Sequence, residues 1–146
     1  MEVKNATMPN KEQIAGLFEP GPEGPIYMVN LLKFKERAEY EDGRETELTG
    51  REAYGLYEEA VSELLPQFGG YPAFFADTQR LMLGEVEDLW DVVAVAVYPS
   101  RQAMMEMMQS PRMQEISAHR SAGLAGQLNI ETANAYGDWL ESLGAE

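Results

Sequence analysis

An amide, an imidazole and a guanidinium stand out as side chains that could bind a ligand or move a proton. Asn30 lies in the middle of an apolar run, where an amide without a partner would cost about 1–3 kcal/mol. It either bonds to neighbouring protein groups or orients the carbonyl or carboxylate of a ligand. His119 is the single histidine of the chain, so any histidine-based acid–base step would depend on it. It could equally be a structural imidazole near a helix C-terminus.

Arg120 lies on the same face of a predicted helix as Met113 and Ile116, and a guanidinium in that setting needs a carboxylate. The protein could supply one from Asp77 or Asp91, or a ligand could. Tyr54 and Tyr57 occupy the apolar side of another predicted helix, where tyrosines pack in a core and can also donate hydrogen bonds into a pocket. We therefore consider His119 and Asn30 candidate catalytic residues. The candidate ligand-binding residues are Asn30, Tyr54, Tyr57, Asp77 and Arg120.

The composition makes several other functions improbable. The chain contains no cysteine, and a single histidine with carboxylates alone is a poor zinc site, so we expect no metal. No phosphate-binding loop is present, and we expect no cofactor. The formal net charge of −14 repels phosphate backbones and anionic membranes, so neither nucleic acid nor a membrane is an expected partner. Without a signal peptide or an apolar stretch of about 20 residues, a cytoplasmic protein is expected.

Two largely apolar stretches, at residues 26–34 and 92–98, the second of them unbroken, are typical of strands covered on both faces. Ser100 can cap a helix over residues 102–109 after the second run. The other predicted elements are a short helix capped by Asn10, a helix from Thr49 to about Pro66, a strand over residues 71–83, a helix from Ser110 to Gly123 or Gly126, and a strand over residues 127–132.

From residue 26 onward, the order strand, helix, strand, strand, helix, strand predicts an α+β, ferredoxin-like βαββαβ domain with a four-stranded antiparallel sheet. Right-handed crossovers place the first and third strands at the centre of the sheet, which suits their apolar character. Two helices cover only one face, and the other face would expose an apolar patch larger than a monomer usually tolerates. We therefore expect a homodimer that forms through the open sheet face.

Several stretches resemble the dimeric α+β barrel superfamily, and within it the family catalogued as domain of unknown function 1330. They are residues 25–35 (PIYMVNLLKFK), Gly69-Gly70, Trp90-Asp91 before the apolar run, residues 98–101 (YPSR) and Ser110-Pro111. The resemblance runs from about Pro25 to Thr132 and implies the dimeric fold. It also implies a pocket between sheet and helices, as in cofactor-independent monooxygenases, isomerases and cyclases.

We predict three regions: an N-terminal arm with a short helix (1–24), a ferredoxin-like domain (25–133) and a C-terminal amphipathic tail (134–146). In the tail, Tyr136, Trp139, Leu140 and Leu143 recur at helical spacing. The expected function is a homodimer whose pocket takes a small, partly apolar carbonyl or aromatic compound; the sequence leaves open whether it is a cofactor-independent enzyme of the monooxygenase, isomerase or cyclase type. The alternative is a non-catalytic small-ligand-binding or stress-related module, and a weaker one is haem binding through His119.

Overall fold

The computed structural model describes residues 2–137, in which four antiparallel strands form one sheet with helices packed on one of its faces. The strands are β1 (Ile26–Phe34), β2 (Tyr71–Asp77), β3 (Val92–Tyr98) and β4 (Leu124–Thr132). Their order in the sheet is β2-β3-β1-β4, so the two apolar strands are central. The predicted α+β, ferredoxin-like fold is confirmed.

Side-chain caps set where the helices begin. The helices are α1 (Lys11–Gly16), α2 (Gly50–Leu64), α3 (Arg101–Met108) and α4 (Pro111–Gly123), and a short 3-10 turn, Leu65–Phe68, follows α2. The hydroxyl of Thr49 accepts the Glu52 amide while the Glu52 carboxylate accepts the Thr49 amide, which satisfies two otherwise unpaired donors. Ser100 and Ser110 cap α3 and α4 in the same way with their hydroxyls. Within residues 2–137, none of the helices combines the length and hydropathy that a membrane crossing requires.

The strand predicted over residues 71–83 is shorter than expected. β2 ends at Asp77, whose partner Val92 is the first residue of β3. The Thr78 amide still donates to the Asp91 carbonyl at 2.9 Å, and the chain then leaves the sheet. In the loop that follows, Leu83 is 90% exposed.

The hydrophobic core lies between the helices and one face of the sheet. On that face, which we call the helix side, β1 contributes Ile26, Met28 and Leu32, and β3 contributes Val92 and Tyr98. The helices cover these residues with side chains that belong to the same cluster, namely Tyr54, Tyr57, Leu64, Met104, Met107, Met113 and Ile116.

The opposite face, which we call the open face, is also apolar. It carries Tyr27, Val29 and Leu31 from β1, Val93, Val95 and Val97 from β3, and Leu128 and Ile130 from β4. Most of these residues are only partly buried, and none belongs to the core cluster. Apolar and polar residues alternate along β4, but the apolar ones lie on the open face and the polar ones lie on the helix side, which is the reverse of the usual arrangement.

Helices α2 and α4 cross in direct backbone contact. A Cβ atom placed on Gly123 would lie 2.3 Å from the Gly50 carbonyl oxygen and 2.9 Å from the Tyr54 amide nitrogen. Only glycine fits at such a distance. This close crossing brings the side chains at the start of α2 next to the last turn of α4.

The N-terminal arm runs from residue 2 to residue 24 and touches the sheet at the edge of β4. Its short helix α1 is capped by Asn10 and contains no buried residue. The amide of Ala6 donates to the Gln127 carbonyl at 3.2 Å and forms an isolated bridge to β4. Tyr136 is 92% exposed, and the remainder of the predicted tail stripe, Trp139, Leu140 and Leu143, lies outside the described residues.

Candidate functional site

A chain of hydrogen bonds joins the last turn of α4 to the middle of the sheet. Arg120 Nη2 donates to Gln127 Oε1 at 2.6 Å, and Gln127 Nε2 donates to Asn30 Oδ1 at 2.7 Å. Asn129 Nδ2 donates to the same Asn30 oxygen at 2.8 Å, and Asn30 Nδ2 donates to the Met28 carbonyl at 3.1 Å. We call Asn30, Arg120, Gln127 and Asn129 the amide network.

Strand register explains why these residues meet. Asn30 in β1 lies opposite Asn129 in β4, and Gln127 lies opposite Leu32, so all three side chains share the helix side. Arg120 lies one turn before the end of α4, and β4 begins directly after that helix. Its guanidinium can therefore reach back to Gln127, which is 8% exposed and is the one buried polar residue of the described chain.

Small side chains lie beside Asn30. Its partner in β3 is Ala94, and Ala96 lies next to Met28 on the same side of the sheet. Both alanines pack against the core cluster but remain only partly buried, although they belong to a central strand. The larger side chains of Met104 and Met107 fill the core elsewhere.

Two buried tyrosines, Tyr54 and Tyr57, lie near the Arg120 guanidinium, and a third, Tyr98, lies near Tyr57. Tyr54, Tyr57 and Tyr98 are 8%, 9% and 4% exposed, and the Tyr54 and Tyr57 ring centroids are 5.4 Å apart. Burial raises the pKa of all three phenols. The positive charge of Arg120 opposes this effect at Tyr54 and Tyr57, but the net pKa shift of both is still upward. The phenols are therefore neutral donors at physiological pH.

None of these three hydroxyls forms a hydrogen bond to another of residues 2–137. At the same time, no fully buried side-chain nitrogen or oxygen in that part of the chain lacks a partner. The hydroxyl oxygens must therefore reach space that solvent can enter. The unpaired hydroxyls of Tyr54 and Tyr57, close to a fixed positive charge, form a site that can bind an anionic or carbonyl oxygen.

Arg120 has no carboxylate partner among residues 2–137. Its second bond runs from Nη1 to the Thr7 carbonyl at 2.8 Å, and both of its acceptors are neutral. Of the protein carboxylates expected to pair with it, Asp77 forms an ion pair with Arg51. Asp91 contacts the Lys33 ammonium at 3.5 Å and accepts the Phe34 amide at 2.9 Å.

The structure therefore brings together four of the six predicted site residues, Asn30, Tyr54, Tyr57 and Arg120. His119 lies apart from them, because neighbouring residues on a helix point about 100° apart. Its Nδ1 is 2.6 Å from the Tyr40 hydroxyl, and the two rings pack edge to face at 5.6 Å. Asp77 is half-exposed at the end of β2.

Two residues of the site, Gln127 and Asn129, were not predicted. The alternation of polar residues in β4 was visible in the sequence, but it does not reveal which side faces the helices. Two surface clefts of about 650 and 680 Å³ lie elsewhere, one between residues 17–24 and α3 and the other within residues 37–47. Among residues 2–137, the histidine and carboxylate side chains form no group of three that could hold a metal ion.

Comparisons with known proteins give a family and a fold. The model of the family described as "Domain of unknown function (DUF1330)" matches residues 43–133. That match includes most of the stretches on which the resemblance was based, and it begins after the first strand. No functionally curated protein matches the sequence.

Two crystal structures of a protein of unknown function from Rhodopseudomonas palustris are similar over nearly the whole chain. The methylated form is 32% identical with a TM-score of 0.82, covering 93% of this chain and 99% of its own. The other form is 30% identical with a TM-score of 0.81, covering 92% and 100%. A dimeric ferredoxin-like protein of unknown function from Thermobifida fusca is 16% identical, covering 76% and 92%, and its TM-score of 0.45 is too low to bear on this chain.

Proposed function

We propose that this chain, which belongs to the DUF1330 family, binds a small, partly apolar carboxylate or enolate between the sheet and the helices. The observation that carries the proposal is Arg120, a half-buried guanidinium that no carboxylate of residues 2–137 neutralises. A charge that is partly removed from water is stabilised by a partner of opposite sign, and a ligand anion would supply one.

The donors around Arg120 suit such a ligand. Two of its five N–H groups donate to Thr7 and Gln127, which leaves three for a bidentate carboxylate. The hydroxyls of Tyr54 and Tyr57 add neutral donors, because their raised pKa keeps them protonated at physiological pH. The apolar remainder of the ligand would lie over Ala94, where the small side chain leaves room.

The geometry favours binding over catalysis. The two candidate catalytic residues are separated, since Asn30 belongs to the amide network and His119 bonds to Tyr40. Asn30 cannot accept a proton, and its oxygen already receives two hydrogen bonds from protein amides. It holds Gln127 and Asn129 in place, which in turn orients Arg120 toward the ligand.

The test is a thermal-melt panel of three aromatic acids, two of which are paired with a neutral amide of the same shape. We expect benzoate, phenylacetate and phenylpyruvate to raise the Tm of the wild-type protein, and benzamide and phenylacetamide to leave it unchanged. Tyr57→Phe, which removes one donor and keeps the ring, should weaken binding about threefold to tenfold. Tyr136→Phe is the matched control, because Tyr136 is 92% exposed. If no acid in the panel shifts the Tm, the binding proposal fails.

The protein is also proposed to be a homodimer that forms through the open face. Val29 and Val95 lie opposite each other in the central strands, and both are only partly buried on the face that no described helix covers. At about 25 cal/mol per Å², burying a few hundred Å² of such a face favours association by several kcal/mol before entropic costs. A second copy of the same sheet is a self-complementary cover.

Sedimentation equilibrium tests the dimer. Wild-type protein should be dimeric at micromolar concentration, and Val95→Lys should be monomeric because it places a charge at the centre of the face. Gln114→Lys adds the same charge at an exposed position of α4 and should remain dimeric. A wild-type protein that sediments as a stable monomer would contradict this assembly.

A further inference from the structure

We infer that the N-terminal arm is a gate over the proposed ligand site, an inference that rests on the proposed function. The arm reaches the site at Asn5, Ala6 and Thr7, which we call the latch. Ala6 bridges to Gln127 at the edge of β4, and the Thr7 carbonyl accepts from Arg120 Nη1 at 2.8 Å. The latch thus contacts two members of the amide network, one of them the proposed anion anchor.

A third contact holds the latch against the residue that precedes β3 by two positions, Trp90. Trp90 Nε1 donates to Asn5 Oδ1 at 2.7 Å, across the end of the sheet. A Cβ atom on Gly126 would lie 2.8 Å from the Asn5 Cβ, so the arm rests directly on β4 at this point. The arm therefore covers the edge of the sheet where the Arg120 side chain emerges from α4.

The latch is held by polar contacts and not by apolar burial. Residues 2–6 are exposed, Thr7 is only partly buried, and α1 has no buried residue. Segments with few buried apolar contacts open most readily in a folded protein. The other end of the arm is anchored, since Leu17 packs against the core and the Glu19 carbonyl accepts from Arg101 at 2.8 Å.

An arm that is fixed at residues 17–19 and weakly held at residues 5–7 can lift away from β4 while it stays attached. In the closed position the Thr7 carbonyl holds the guanidinium in place and shields it. In the open position the guanidinium and the space beside Asn30 become accessible. The ligand therefore enters and leaves when the latch is open, and it is retained when the latch is closed.

The chain has no cysteine, so an engineered disulfide can lock the latch cleanly. The pair Asn5→Cys and Gly126→Cys suits this purpose, because the two Cβ positions are close and the exposed arm needs to move back by only about 1 Å to reach disulfide geometry. The probe is phenylglyoxal, a small arginine-selective reagent, and peptide mass spectrometry measures modification at each arginine. Oxidised and reduced forms of the same double variant are compared after the reductant has been removed.

We expect Arg120 to react at least tenfold more slowly in the oxidised form, while Arg112, exposed on the same helix, reacts equally in both. Equal rates at Arg120 would overturn the gate. So would failure of the disulfide to form under oxidation, because the arm would then not rest on β4. A second variant, Ala6→Pro, removes the backbone N–H that donates to the Gln127 carbonyl and should accelerate the reaction at Arg120 severalfold. Its control, Ala6→Ser, keeps that N–H and should leave the rate at Arg120 unchanged.

Because phenylglyoxal reports on access to Arg120 without any bound acid, this test is independent of the melt panel. A locked arm that protects Arg120 in a protein that binds none of the acids would refute the proposed ligand and leave the gate in place. Acid binding with no protection by the lock would refute the gate alone.

Discussion

Replacing Arg120 by methionine separates a ligand anchor from a structural charge. Methionine keeps much of the side-chain length and removes the charge together with both hydrogen bonds, to Thr7 and to Gln127. The Oε1 atom of Gln127, a residue only 8% exposed, would then lack a partner, at a cost of about 1–3 kcal/mol. Losing one partner of a buried ion pair costs more, about 3–5 kcal/mol, because the remaining charge is uncompensated.

Because no carboxylate of residues 2–137 pairs with Arg120, we expect the smaller cost. For a chain of 146 residues, 1–3 kcal/mol corresponds to a Tm decrease of about 3–9 °C. Arg112→Met is the matched control, since Arg112 is exposed on the same helix and its ion pair with Glu115 should be worth little. Its Tm should change by less than about 2 °C.

The assay combines melts with titration of whichever acid binds the wild-type protein most tightly. Arg120→Met should weaken that binding more than tenfold, equivalent to about 1.4 kcal/mol, and Arg112→Met should leave it unchanged. A Tm decrease above about 12 °C in Arg120→Met would refute the reasoning, because it would mean that the guanidinium compensates a buried carboxylate. Unchanged affinity in a stable Arg120→Met protein would equally exclude Arg120 as the anchor.

Two further predictions concern the elements that hold the site. Gly123→Ala should destabilise the fold by about 1–3 kcal/mol in urea unfolding, because the new Cβ would lie 2.3 Å from the Gly50 carbonyl oxygen. Gly55→Ala is the control and should be neutral or stabilising, because the space around Gly55 is open. Equal effects of the two substitutions would contradict the close crossing of α2 and α4. Glu131→Gln should lower the Tm at pH 7. The hydrogen bond from Arg101 lowers the pKa of Glu131 below 4.5, so its stabilisation is present above that pH and is lost as the pH falls through the lower folded value. Melts from pH 7 to pH 2.5 should therefore show the two proteins converging, and a constant difference would contradict the ion pair.

The topology could be predicted because it depends on properties that each segment carries by itself. The runs at residues 26–34 and 92–98 are apolar on both faces apart from Asn30 and Lys33, and right-handed crossovers then leave one strand order. Strand ends were harder to predict. The strand at residues 71–83 was predicted too long because its end depends on where β3 begins, a property of the partner and not of the segment itself.

The site could be predicted only where a single element determines the outcome. Tyr54 and Tyr57 follow from the apolar side of α2, and they are buried as that side requires. Arg120 follows from the face of α4 that it shares with the buried Met113 and Ile116, but its acceptors, Thr7 and Gln127, belong to other elements and could not be predicted. The pairing of Asn30 with Asn129 depends on the register of β1 and β4, and a slip of one residue would move every side chain of β4 to the other face.

The helix side of the sheet has an apolar part and a polar part, and this arrangement determines the class of ligand that it suits. Toward β3 it is apolar and small, with Ala94 beside Asn30. Toward β4 it is polar, with Gln127 and Asn129 in the positions where an edge strand would ordinarily turn apolar side chains to the core. The buried side of the central strand β1 tolerates the Asn30 amide because the side-chain amides of Gln127 and Asn129 donate to its oxygen. A compound with a flat apolar body and one anionic end matches this arrangement. A fully apolar compound would leave Arg120 without an anionic partner. A fully polar compound would gain no apolar contact with Ala94.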